Sequence, residues 1–237
     1  MFDFLQRQEA MLGTEAVLTL ETKTVMVCGL GGVGSSCAEG LCRAGIGHLV
    51  LIDNDEVNIT NLNRQLIATR SAIGLKKTEA EKMRMLDINP DIKLTCLDLF
   101  LTNDNIPTLL EELKPDYVVD CIDNVSAKIS LAVNCEKTNI KLVSSMGTGN
   151  KLYPEMLEFC DIYKTLVCPL ARVMRKELKE RNVKKLTCLY SKEQPIKAII
   201  QDPNSNRNTP ASVSFVPPAA GFMLCAKVVR DFIGKDE

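Results

Sequence analysis

Residues 24–55 constrain the fold more than any other stretch of the chain. The apolar run 25–28 enters a turn carrying Gly29, Gly31, Gly32 and Gly34. Beyond it, Val33, Cys37, Ala38, Leu41 and Cys42 recur at helical spacing, so a helix with one buried face comes next. A second apolar run, 49–52, ends in Asp53, 19 residues after Gly34. Strand, glycine turn, helix, strand and acid in this order form a nucleotide-binding unit. Glycines let the backbone approach a phosphate, the helix N-terminus favours its charge, and the acid reaches a ribose hydroxyl. The plainer reading is a tight strand-to-helix turn without ligand, and both strands with the acid in place weigh against it.

The residues just beyond Asp53 argue against a nicotinamide cofactor. Asp55 and the cluster Asn61, Asn63, Arg64 and Gln65 lie just past a strand's carboxyl end, where open α/β sheets bind ligand. A guanidinium and two asparagines suit a triphosphate better than a hydride acceptor; an ordinary solvated loop is the alternative. Next, a helix runs from Gly74 to Asn89-Pro90 with Lys76 and Lys77 at its start. A helix N-terminus disfavours cations, which an anionic ligand would compensate, unless both ammonium groups simply extend into water. Strands are expected at 94–99 and 117–121, with a helix at 106–113 between them. Asp120 and Asp123 flank the second strand's end, well placed for a hard Mg²⁺ ion; a capped helix starting at Ser126 would also account for Asp123 and Asn124. A helix at 126–139 and a strand at 141–145 complete five strands alternating with helices, hence a doubly wound, mostly parallel α/β sheet of Rossmann-like type.

These motifs resemble, in order, those of the ubiquitin-activating-enzyme-like adenylyltransferases, which activate carboxylates with ATP. Gly-Leu-Gly-Gly-Val-Gly, Asp53-x-Asp55, Asn61-x-Asn63-Arg64-Gln65, Lys77 after Gly74, and Asp120-Cys-Ile-Asp123-Asn124 carry the likeness across residues 4–150. The resemblance implies that these positions bind ATP, with Mg²⁺ at Asp123. It also implies a homodimer in which Arg7 reaches the partner's ATP, although Phe4 stands where the first arginine of the usual Arg-aromatic-x-Arg pattern belongs. On sequence alone, a solvated surface arginine explains Arg7 equally well.

Charge and cysteine content narrow the rest. With 29 basic and 30 acidic residues, net charge favours neither nucleic acid nor membrane, so distribution must decide. No apolar run approaches the roughly 20 residues of a membrane span, and the N-terminus lacks a signal-peptide core. The ten cysteines include no Cys-x-x-Cys pair. A cytoplasmic protein with reduced, mostly buried thiols is expected, without the structural zinc of the sulfur-carrier-activating branch. His48, the only histidine, starts a buried strand and reads as structural. Cys225 lies in an apolar helix pattern, where a thiol is inert.

Residues 1–150 are expected to form the ATP-binding unit, with one or two short helices before Lys23 broken at Gly13. Residues 151–237 are expected to form a C-terminal α/β extension whose last helix packs back on the core. A helix after Cys168 has Leu170, Val173, Met174 and Leu178 on one face, with Arg172, Arg175, Lys176 and Lys179 off it. Residues 164–197, including Lys184 and Lys185, hold ten basic residues against three acidic ones. That concentration in a neutral protein is the footprint of a phosphate-backbone partner, weighed against a merely solvated face. A strand is expected at 186–191, a mobile polar loop at 199–209, and a final helix with Phe222, Cys225, Val229 and Phe232 along one side.

Pro-Leu-Ala-x-x-x-Arg, Leu-Tyr-Ser-Lys-Glu-x-Pro and Thr-Pro-Ala-Ser-x-Ser-Phe-Val-Pro resemble one branch of the superfamily, the tRNA threonylcarbamoyladenosine dehydratases. The likeness implies adenylation of the threonylcarbamoyl carboxylate on tRNA, then attack by an internal nitrogen that closes a ring and expels AMP. Cys168 departs from it, standing where an acid is expected. Adenylation of a ubiquitin-like sulfur carrier is the alternative enzyme reading, and a nucleotide-binding regulator without catalysis is the alternative of another class. Whether a sulfur-transfer protein docks is open.

Overall fold

The sheet grows from the apolar runs. In the computed structural model, which describes residues 3–197 and 210–235, seven strands form one sheet: β1 (Thr24–Cys28), β2 (His48–Asp53), β3 (Lys93–Asp98), β4 (Tyr117–Asp120), β5 (Lys141–Ser145), β6 (Leu157–Asp161) and β7 (Thr187–Ser191). Their spatial order is β3-β2-β1-β4-β5-β7-β6, parallel throughout except that β6 runs antiparallel to β7. β6 and β7, from beyond residue 150, continue the sheet of the first five strands. The loop expected at 199–209 lies outside the described residues.

The helices are α1 (Gln6–Leu12), α2 (Thr14–Glu21), α3 (Gly34–Arg43), α4 (Lys77–Ile88), α5 (Asn105–Leu113), α6 (Val125–Thr138), α7 (Pro169–Glu180) and α8 (Val216–Phe232). Alternate residues of each central strand point to opposite faces. Val25 and Val27 of β1 join Leu49 and Leu51 of β2 in a core closed by α3, α4 and α8. Met26 and Cys28 join Val50 and Ile52 in a core closed by α5 and α6. A third core lies under α7, between α6 and β7. His48 bridges three strands, its ring nitrogens 3.3 Å from Thr24 Oγ1 and 2.9 Å from Thr95 Oγ1, the structural role expected of it.

Two helical faces differ from the periodic reading. α8 buries Ala220, Gly221, Leu224, Cys225 and Val228, and leaves Phe222 46% exposed. Small residues decide this. A Cβ at Gly221 would lie 2.3 Å from the Val33 carbonyl, and one at Gly40 would lie 2.9 Å from Cys225 Sγ. The α3–α8 crossing is therefore closer than bulky side chains allow, and the large Phe222 turns outward. On α7 the buried face is Ala171, Met174 and Leu178, with Val173 44% exposed. Arg175, expected off the apolar face, turns to the chain and donates through Nη1 to the Thr165 carbonyl at 3.0 Å and to the Thr165 hydroxyl. No described helix is long and apolar enough to cross a membrane.

Candidate nucleotide site

Strand order reverses between β1 and β4, and there a doubly wound sheet opens a crevice at its carboxyl edge. A cleft of about 550 Å³ occupies this position. The glycine turn forms its floor. Gly29 sits at φ 86°, and a Cβ at Gly34 would lie 1.7 Å from the Gly29 carbonyl oxygen, so both positions require glycine. A Cβ at Gly31 would meet nothing within 4 Å, so that backbone faces open space from which an anion can approach. Gly32 is closed off by Pro217 of α8.

Asp53 is nearly buried at the end of β2. Its Oδ2 accepts from the Leu30 backbone N–H at 2.6 Å and its Oδ1 from the Asp55 N–H at 2.8 Å, so it shapes the glycine turn as well as facing the cleft. Lys77, at the first turn of α4, is buried beside it. The Lys77 ammonium lies 2.7 Å from Asp55 Oδ2 and 3.7 Å from Asp53 Oδ1. Neither reading of the two lysines holds unchanged. Carboxylates already offset the charge of Lys77, and Lys76 pairs with Glu56 and Asp98 at the surface.

Asn61, Arg64 and Gln65 line the cleft. Arg64 donates to the Thr60 carbonyl and to Asn63 Oδ1, both at 2.9 Å, which fixes its direction. Gln65 is buried and its Oε1 has no partner among the described residues, an orphaned acceptor in the cleft wall. Asn63 lies outside the lining and ties this loop to the Ser212 carbonyl at 3.0 Å. Asn124 lines the cleft while its Oδ1 caps α6 through the Ala127 N–H at 2.9 Å.

The pair of carboxylates expected past β4 separates. Asp120 is fully buried, 2.9 Å from the Lys128 ammonium, and accepts from Ser144 Oγ at 2.6 Å, so it cannot serve a metal in the cleft. Asp123 alone is exposed and lines the cleft. Among the described residues no three His, Cys, Asp or Glu side chains group as a metal cage. All ten cysteines are free thiols. Burial pushes the Cys225 thiol up to about 12, and burial also raises Cys121, which lines the cleft, above the ordinary thiol value. Neither is an activated nucleophile.

Arg7 is exposed on α1 and does not line this cleft. Arg172, Lys176, Lys179, Lys184 and Lys185 are exposed on and just after α7. Cys168 precedes α7 without a side-chain cap, buried rather than presented as an acid would be. Nothing in the motifs singles out Lys128. Its one mark is a lysine where the period of α6 demands an apolar residue.

A glycine-floored cleft at the switch point, with a buried lysine, an oriented arginine and a free carboxylate, defines a nucleotide-binding α/β protein equipped to handle phosphates. The chain belongs to the ThiF family, whose model matches residues 5–231. It is similar to the tRNA threonylcarbamoyladenosine dehydratase of Bacillus subtilis, 38% identical over 98% of this chain and 96% of that one. It resembles the crystal structure of the Escherichia coli enzyme of that name in complex with ATP, at a TM-score of 0.87 and 31% identity, covering 97% of this chain and 93% of that one. The sulfur carrier protein ThiS adenylyltransferase of Escherichia coli is 33% identical over 63% of this chain and 61% of its own length.

Proposed function

We propose that this chain uses ATP to adenylate the carboxylate of the threonylcarbamoyl group on a tRNA adenosine, and then closes that group to its cyclic form with net loss of water. The extent of the likeness carries the reading. Similarity to the Bacillus subtilis dehydratase runs over 98% of the chain, whereas similarity to the sulfur-carrier adenylyltransferase covers 63% of it.

The chemistry suits the cleft. A carboxylate is a poor electrophile because its leaving group would be an oxide. Its oxygen attacks the α-phosphorus, the bond to pyrophosphate breaks, and an acyl-adenylate forms. A nitrogen of the same modified nucleoside then attacks the acyl carbon and AMP departs. The protein's work is positioning and charge neutralisation. In this reading the Gly31 backbone and the start of α3 face the phosphates, and Asp53 holds the ribose. Asn61, Gln65 and Asn124 complete the walls. Arg64 and Lys77 offset charge on pyrophosphate, with Asp55 giving up part of its hold on Lys77. Mg²⁺ fits: Asp123 is a cleft carboxylate with no partner among the described residues, and magnesium takes one or two carboxylates and completes its shell with phosphate oxygens and water. When bound, the ion would neutralise phosphate charge. Arg7 of a second copy would add a further cation, and the exposed lysines around α7 would hold the tRNA backbone. The cytoplasm is the proposed compartment.

The test is incubation with ATP, Mg²⁺ and tRNA bearing threonylcarbamoyladenosine, followed by mass analysis of the nucleosides. Loss of one water from the modified nucleoside is expected. An unchanged nucleoside, together with pyrophosphate exchange driven by a ubiquitin-like carrier, would transfer the protein to the carrier-activating class.

A further inference from the structure

We infer that Lys128 is a positioning residue that sets the cleft wall bearing Asp123, an inference that rests on the role proposed above for Asp123. Lys128 lies one turn into α6 and is fully buried. Its ammonium is 2.9 Å from Asp120 Oδ2 and donates to the Ile122 carbonyl at 3.0 Å. Asp120 closes β4. It accepts from Ser144 Oγ of β5 at 2.6 Å and, through Oδ1, from the Ile122 N–H at 3.3 Å.

A buried ion pair is poor evidence of stabilisation in itself. Desolvation of the two charges offsets most of their attraction, and well-packed apolar residues of the same shape often serve as well. What apolar residues cannot do is hold backbone groups. Here both the N–H and the C=O of Ile122 are engaged, so the peptide leading into Asp123 is fixed from two sides. The flanking residues are fixed as well: the Cys121 N–H donates to the Cys28 carbonyl at 2.8 Å, and Asn124 caps α6. Within this irregular segment, which lines the cleft from Cys121 to Asn124, Asp123 is the exposed carboxylate. Ser144 extends the network to the neighbouring stretch of lining after β5, because Met146 and Gly147, which line the cleft, come two and three residues after it. One ammonium thus ties together the ends of two neighbouring strands, β4 and β5, beside the strand-order reversal.

Lys128→Met alone leaves Asp120 buried without its countercharge and is expected to unfold easily. The informative variant is Asp120→Asn with Lys128→Met, which removes both charges and keeps the volume. Its thermal midpoint should return close to wild type. Its kcat for AMP formation with modified tRNA should fall about a hundredfold, the scale of a small misplacement at a reacting centre, with KM for ATP little changed. A stable double variant with wild-type kcat, beside an inactive Asp123→Ala, overturns the inference. An active Asp123→Ala instead removes the role of Asp123 on which it rests. Should the double variant not fold, Ser144→Ala decides. It trims one hydroxyl from the same network, and it should lower kcat several-fold at constant KM; unchanged kcat counts against the proposal.

Discussion

A methyl group at Gly34 would lie 1.7 Å from a backbone oxygen, whereas one at Gly31 would touch nothing. The two substitutions should therefore fail differently. Gly34→Ala should lower stability by about 2–4 kcal/mol, because backbone rather than a flexible side chain must move. Gly31→Ala should leave denaturant unfolding nearly unchanged yet weaken ATP binding, since its methyl enters the space proposed for phosphate. Equal stability losses in the two variants would contradict these distinct roles in the turn. A second residue, Glu81 of α4, is fully buried with neither carboxylate oxygen hydrogen-bonded among the described residues. Burial, aided by the nearby Glu39 charge, raises its pKa well above the usual carboxylate range, so the folded protein holds it neutral. Glu39 escapes the same fate: although burial pushes it up, hydrogen bonds from Arg84 and Arg43 hold it below its ordinary value. The sign for Glu81 comes from linkage. Its contribution is full below the unfolded carboxyl pKa of about 4.3, where both states are protonated. Between that value and the folded pKa, folding takes up a proton, and stability falls by up to about 1.4 kcal/mol per pH unit. Above the folded pKa the contribution is gone. Glu81→Gln should remove this decline, so its stability relative to wild type should rise with pH from 5 to 8 in urea unfolding. Parallel curves would show that Glu81 is ionised or solvated in the folded state.

At the scale of elements, α7 separates cations that look alike in sequence. Arg175 donates two hydrogen bonds to Thr165, while Lys176, Lys179, Lys184 and Lys185 are exposed. Arg175→Ala should therefore cost about 1–2 kcal/mol of stability, read by denaturant unfolding. Reversing the four lysines to glutamate should cost little stability. It should weaken tRNA binding and flatten its salt dependence by about one unit of log–log slope per lost phosphate contact, with ATP binding untouched. Wild-type tRNA affinity in the lysine variant would leave α7 a solvated face. The same comparison shows what a sequence can reveal. β1, β2, β4 and β5 are legible because buried parallel strands are short apolar runs, and the cleft residues are legible because glycines, an acid and cations crowd the ends of those runs. The inward turn of Arg175 is not, because it depends on where the Thr165 turn lies in space. Periodicity places Cys225, Val229 and Phe232 of α8 against the core but misses Ala220 and Gly221, which add little to an apolar period although Gly221 makes the closest contact. Spacing alone makes Asp120 a cleft ligand because its partner, Lys128, sits on another element, and no local pattern links the two.

For the molecule as a whole, the outstanding question is how Arg7 could act at a nucleotide. Leu5 packs against Gly45, and Gln8 donates to the Ala44 carbonyl at 2.8 Å, so the N-terminal arm is fastened to the C-terminal end of α3. The glycine turn lies at the other end of that helix, roughly 15 Å away at 1.5 Å rise per residue. Arg7 is thus remote from its own cleft, and α1 itself has no buried residue. Met11 of α1 is 84% exposed and Leu18 of α2 is 52% exposed, apolar surface that a second copy of the chain would cover. On the dimeric reading proposed above, the arm of each subunit would serve the other's cleft while remaining fastened to its own α3. Arg7→Ala and Asp123→Ala should each be inactive alone, since one removes the donated cation and the other the cleft carboxylate. Mixed under conditions that exchange subunits, they should recover up to about a quarter of wild-type activity per total site, because random pairing leaves half the dimers mixed and each mixed dimer has one site with both residues intact. Subunit exchange is followed by differential tagging and activity by AMP release. Mixed dimers that form without regaining activity would place Arg7 outside the shared site.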